Sequence, residues 1–139
     1  MSKGDLTAIE VGNMLPQAEF GPISRTVLAL YAGASGDHNP VHIDIDYARN
    51  AGLPDVFAHG MLSFGVLTRV VTSWSGAARL REFGARFVSI THVHDKITCT
   101  GQVIEAFEAE GEQRLRVALK AFAQDGRETL SGEAVIALD

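Results

Sequence analysis

The chain has 139 residues, 46% apolar and 21% charged, the balance of an ordinary globular protein large enough for one hydrophobic core. Its formal net charge of −5 gives no global electrostatic case for nucleic acid or an anionic membrane as partner. The one cysteine, Cys99, excludes an internal disulfide, and no CxxC or Cys/His cluster points to structural zinc.

MSKGDLTAIEVG at the start lacks the apolar h-region of a secretory leader, and no run approaches the roughly 18 apolar residues of a membrane span. The expectation is one cytoplasmic domain over residues 1–139. Residues 4–23 read as an irregular arm punctuated by Gly12, Pro16, Gly21 and Pro22. Ser24 can cap a helix over 25–34, with Val27, Leu28, Tyr31 and Ala34 as its apolar stripe. Gly33 and Gly36 weaken its far end and lead into GDHNP. Pro40 lacks an N–H and disfavours helical geometry at Asn39, so this segment is a turn. A short helical turn over 46–50 follows, ending at Gly52 and Pro54.

Residues 61–74, MLSFGVLTRVVTSW, are apolar over most of a helical circumference and predict a buried helix. At 1.5 Å per residue it would run roughly 20 Å. Beyond it the period changes to two. Residues 83–90 supply one strand, and Ile97, Cys99, Gly101 and Val103 begin another. Leu115, Val117, Leu119, Ala121 and Ala123 alternate with Arg114, Arg116, Lys120 and Gln124, as expected of a strand with one wet face. Leu130, Gly132, Ala134, Ile136 and Leu138 repeat the pattern, and Asp125-Gly126 between the runs is a hairpin signal. Helices first and strands afterwards make an α+β class. The expected architecture is an antiparallel sheet wrapped around one long central helix, the hotdog arrangement.

The chemistry concentrates between Tyr31 and Asp44, YAGASGDHNPVHID. Asp37 could simply bond its own backbone, as Asp does in turns. His42, five positions on, returns an imidazole to the same turn, and its pKa near ~6.5 lets it give and take protons at neutral pH. An acid and a base in one turn favour proton transfer over a purely structural role. A metal reading of His38, His42 and Asp44 is weaker, because Pro40 breaks the helix on which His-x3-His would share a face, and His38 is expected in solvent. His92 and His94 alternate on an expected strand end without an apparent third ligand and read as surface or pocket-rim residues.

His59-Gly60-Met61 stands where a loop opens the buried helix. The first N–H groups of a helix lack partners and attract negative charge. Gly60 would let a carbonyl oxygen approach its N–H closely, as in an oxyanion hole. It could equally serve a tight loop-to-helix junction, and local sequence leaves both open. Thr68 either back-bonds to the carbonyl four residues earlier or steadies Asp37 or a water. Phe64 and Trp74 read as core or subunit interface, and the arginines at 69, 79, 81, 86, 114 and 116 as a solvated face, a few of which could meet the phosphates of an anionic carrier.

YAGASGDHNPVHID followed by AHGM resembles the signature of MaoC-like, (R)-specific enoyl-CoA hydratases and the related hydroxyacyl thioester dehydratases. The likeness runs over nearly the whole chain, and the GDxNPxHxD and HGM composite is far more specific than either half. It implies a lyase that reversibly hydrates a trans-2-enoyl thioester of CoA or acyl-carrier protein to the (R)-3-hydroxyacyl thioester. It implies Asp37 and His42 as the catalytic pair and the Gly60 N–H as oxyanion donor, with Asn39, His59 and Thr68 in supporting or substrate-binding positions. It calls for no metal and no cofactor beyond the carrier, and implies a homodimer or higher homo-oligomer. Arg69 departs from a uniformly apolar helix and either faces solvent or shortens the acyl pocket. Two rivals are a hotdog thioesterase and a non-catalytic acyl-binding subunit of a heteromeric dehydratase. Inactive siblings lose the Asp or the His, and this chain keeps both.

Overall fold

The computed structural model describes residues 9–138; the leader reading and the first part of the 4–23 arm therefore lie partly outside the described residues. Ser24, in extended backbone, accepts the N–H of Val27 at 3.0 Å, so α1 (Arg25–Ser35) starts where its cap predicts. Gly36, at φ +78°, ends it in the left-handed region, and its N–H reaches back to the Ala32 carbonyl. A single 3-10 turn, Pro40–His42, follows, and then α2 (Ile45–Asn50). Asp44 caps α2 by accepting the N–H groups of Asp46 and Tyr47, which accounts for a residue weighed above as a metal ligand.

The central helix α3 (Gly60–Ser75) buries Val66, Leu67, Val70, Val71 and Trp74. Its burial is less complete than the sequence implies, for Met61, Gly65 and Arg69, spaced four apart, form an exposed stripe. Arg69 thus faces outward, beside a separate cavity of about 230 Å³ between the helix and the Pro16–Glu19 segment.

Five antiparallel strands wrap this helix in the order β1-β3-β4-β5-β2: β1 (Ala18–Phe20), β2 (Leu80–Phe87), β3 (Ile97–Ala109), β4 (Glu112–Phe122) and β5 (Glu128–Ala137). The alternating residues predicted to face inward do so: Cys99, Val103, Leu115, Val117, Leu119, Ala121, Leu130, Ala134 and Ile136 pack with α3 in one cluster. At Gly101 the helix comes so close that a Cβ would meet the Val70 side chain at 3.1 Å. Asp125-Gly126 forms the expected tight connection, with Gly126 at φ +85° and its N–H on the Ala123 carbonyl. Burial pushes the Cys99 thiol up to about 11, leaving it protonated and a poor nucleophile at neutral pH.

Three expectations need correction. The arm is not wholly irregular: Ala18, Glu19 and Phe20 pair with Cys99, Thr98 and Ile97, and Gly12 and Leu15 donate to the Val103 and Gly101 carbonyls. These are backbone bonds and leave no side-chain period to read. The strand expected over 83–90 is β2, shifted to Leu80–Phe87, because the chain turns away at Val88 and Ser89, whose N–H groups both point to the Thr129 carbonyl. His92 and His94 do not share a strand face; they lie in a turn that His94 makes at φ +76°.

A second, smaller core of Ile23, Leu28, Ala48, Val56, Ala58 and Val93 lies under α1, α2 and the loop leading to α3. The fold is α+β, with a curled antiparallel sheet around a central helix, and this second core carries the GDHNP turn alongside it.

Candidate active site

Asp37 follows the α1 terminus directly. Its Oδ1 accepts the Asn39 N–H at 3.2 Å, so the structural role of the carboxylate is real, yet it occupies only one oxygen. Asn39 in turn accepts the Val41 N–H at 3.1 Å and caps the 3-10 turn. That turn delivers His42, only 8% exposed, with its Nδ1 at 2.7 Å from the Phe57 carbonyl. A carbonyl can only accept, so Nδ1 carries the proton in the neutral ring and Nε2 keeps a lone pair.

His59 joins the two halves of the site. It is 1% exposed, and its Nε2 donates to the main-chain carbonyl of Asp37 at 3.1 Å. Its ring stacks on His42 with centroids 4.0 Å apart and receives the edge of Tyr31 at 4.8 Å. Burial, and secondarily the nearby His42, hold the His59 imidazole below its ordinary pKa against the opposing pull of Asp37. His59 is therefore neutral at physiological pH, with an unpartnered buried Nδ1.

One donor atom from each of Asp37, His42 and His59 lies within 4.8 Å of the others. Each ring already donates one nitrogen to a carbonyl, so each neutral ring keeps one nitrogen with a lone pair. Those lone pairs and the Asp37 carboxylate can accept the hydrogens of a shared water or hold a proton. Gly60, the first residue of α3, has no carbonyl one turn back to receive its N–H. A Cβ on Gly60 would lie 2.7 Å from the Phe87 ring, so a larger residue here would displace that exposed ring. Asp37 and Gly60 both line a cleft of about 460 Å³, with Met61, Phe87, Ile90 and Leu130 among its apolar walls and Ser63 and Thr91 among its hydroxyls.

The structure thus brings together Asp37, His42, His59 and Gly60, with Asn39 supporting the turn. It does not bring Thr68 to them: its hydroxyl donates to the Phe64 carbonyl at 2.9 Å, the back-bond weighed above. His38 is exposed. Sequence reasoning missed Phe57, which acts through a carbonyl that every residue possesses, and Phe87, which comes from the distant end of β2. Tyr31 stood at the head of the motif, but its contact with His59 depends on the fold.

Residues 10–123 match the MaoC like domain family, and the chain belongs to that family. It is 35% identical over 113 residues to the fatty acid synthase subunit beta of Aspergillus oryzae, a match covering 78% of this chain and 5% of that much longer protein. It is 27% identical over 133 residues to the mitochondrial 3-hydroxyacyl-[acyl-carrier-protein] dehydratase of Arabidopsis thaliana, covering 95% of this chain and 79% of the relative. Among solved structures, the unliganded R-hydratase PhaJ1 of Pseudomonas aeruginosa superposes with a TM-score of 0.83 at 29% identity, covering 96% of this chain and 84% of that one.

Proposed function

We propose that this protein hydrates trans-2-enoyl thioesters reversibly to (R)-3-hydroxyacyl thioesters, a carbon–oxygen lyase reaction that uses CoA or acyl-carrier protein only as the substrate's handle. The observation that carries this reading is the double placement of Asp37: its carboxylate lies within 4.8 Å of a ring nitrogen of His42 and of His59, and the residue lines one cleft together with the Gly60 helix terminus. The R-hydratase and dehydratase relatives support the reaction class and its stereochemistry.

In the forward direction a water oxygen bonds to C3 and the C2=C3 electrons move toward the thioester oxygen. The Gly60 N–H stabilises the resulting enolate; one such donor is worth about 3 kcal/mol in comparable sites. The free oxygen of Asp37 and Nε2 of His42 accept the two hydrogens of that water. The proton released as the C3–O bond forms is returned to C2, so both groups end as they began. Asn39 orients the turn and His59 the pair.

The proposal extends to one functional domain over 1–139 that works as a homodimer in the cytoplasm. The open edge of β2 and the exposed Phe87, Val88 and Met61 around the cleft support pairing of two copies, and the free buried Cys99 accords with a reducing compartment. The test is crotonyl-CoA hydration, followed by loss of enoyl absorbance. Asp37→Asn and His42→Ala should each lower kcat by about 100-fold or more. Undiminished activity in both variants, or thiol release in place of hydration, would refute the assignment.

A further inference from the structure

An ion pair between a buried carboxylate, Asp95, and a part-exposed guanidinium, Arg127, takes no part in the chemistry above. Asp95 is 6% exposed, and its carboxylate receives three donors: Arg127 Nη2 at 2.5 Å and the His92 N–H at 2.8 Å on Oδ2, and Gln124 Nε2 at 3.2 Å on Oδ1. Gln124 and Arg127 belong to the β4–β5 connection, whereas His92 belongs to the same turn as Asp95. The pair therefore clamps the 91–95 turn to the sheet. His94 in that turn holds φ +76°, uncommon for a non-glycine residue, and backbone bonds of Ile23 with His94 and Asp95 hold the turn on another side.

The other side of that turn faces the site. The Thr91 carbonyl accepts the Ala58 N–H at 2.9 Å, and His92 forms an antiparallel bridge with Phe57. The Phe57 carbonyl is the group that takes the proton of His42 Nδ1, and its ring packs edge-on to His42 at 4.8 Å. A continuous set of contacts thus runs from Arg127 through Asp95, His92 and Phe57 to His42. The Arg127 side chain is 31% exposed and also meets Asp125 at 3.1 Å, while its Nε is buried without a partner; an ion pair so placed adds little net stability. Stability is thus a poor reason for its presence, and control of geometry a better one.

We propose that Asp95 and Arg127 are positioning residues for His42: their ion pair holds the 91–95 turn against Phe57 and thereby fixes the carbonyl that keeps the His42 proton on Nδ1. The proposal rests on the catalytic role given above to His42, but its main readout does not. In ¹⁵N-labelled protein, long-range proton–nitrogen spectra report the tautomer of each histidine, and His42→Ala assigns the His42 signals. The native protein should show a single Nδ1–H tautomer at His42.

Asp95→Asn keeps an acceptor for His92 but loses the charge, and Arg127→Met removes the clamp from the other side. Each should populate both tautomers and lower kcat about 10-fold with KM within twofold, the pattern of a misplaced base with binding preserved. Arg127→Lys should recover part of both effects. If Asp95→Asn does not fold, Arg127→Met decides the matter. A folded variant that keeps the single Nδ1–H tautomer overturns the proposal, whatever happens to its rate. A tautomer shift in protein that never hydrates crotonyl-CoA upholds the brace and refutes the proposed reaction instead.

Discussion

His59 makes three contacts that a mere loop residue would not need: a bond to the Asp37 carbonyl, a stack on His42 and an edge contact from Tyr31. The bond fixes Nε2 as the protonated nitrogen, and burial keeps the ring neutral by lowering its pKa. The unfolded chain protonates this residue near its ordinary value of about 6.5, above the folded value. The stability due to neutral His59 is therefore complete above that pH and is lost as pH falls toward the folded value, where the unfolded state binds more protons. In His59→Gln, urea midpoints measured between about pH 7 and pH 5 should fall less steeply than in the native protein. An equal slope in the two proteins would mean that other groups govern the acid side.

At the scale of elements, the sequence discloses those whose side chains carry a period. The α3 run, the β4 and β5 alternations, the Ser24 cap and the Asp125-Gly126 connection are legible because each depends on local residue chemistry. β1 and the Gly12 and Leu15 bonds are not, since backbone pairing with β3 needs no particular side chain. The limits of β2 are also set from outside, by the Thr129 carbonyl that draws Val88 and Ser89 off the strand. The site divides in the same way: Asp37, His42 and Gly60 stand in a readable motif, whereas Phe57, Phe87 and the Asp95–Arg127 clamp meet it only through the fold. One element contact is sharp enough to test. A Cβ on Gly132 would collide with the Gly84 carbonyl and the Ala85 backbone across the β2–β5 pairing. Gly132→Ala should therefore cost about 1–3 kcal/mol, seen as a lower thermal midpoint. Because β2 carries Phe87 to Gly60, the variant should also raise KM for the thioester more than it lowers kcat.

Across the whole molecule, the two parts of the candidate site belong to different hydrophobic bodies. Gly60 begins a helix seated in the large core of Leu67, Val71, Val117 and Leu119. Asp37 and His42 ride on the smaller body built around Leu28, Ala48 and Val56, which is joined to the first through His59 and the 91–95 turn. A unit with fewer buried groups opens at lower free energy than the sheet beneath it. The turn that carries Asp37 and His42 is thus expected to come loose while Gly60 is still in place. Amide hydrogen exchange should then show residues 36–48 opening at lower urea concentration than β4 and β5, and activity should vanish along with the first event. In practical terms, the smaller core is expected to limit the working lifetime, and a gain in melting temperature made in the sheet would not extend it.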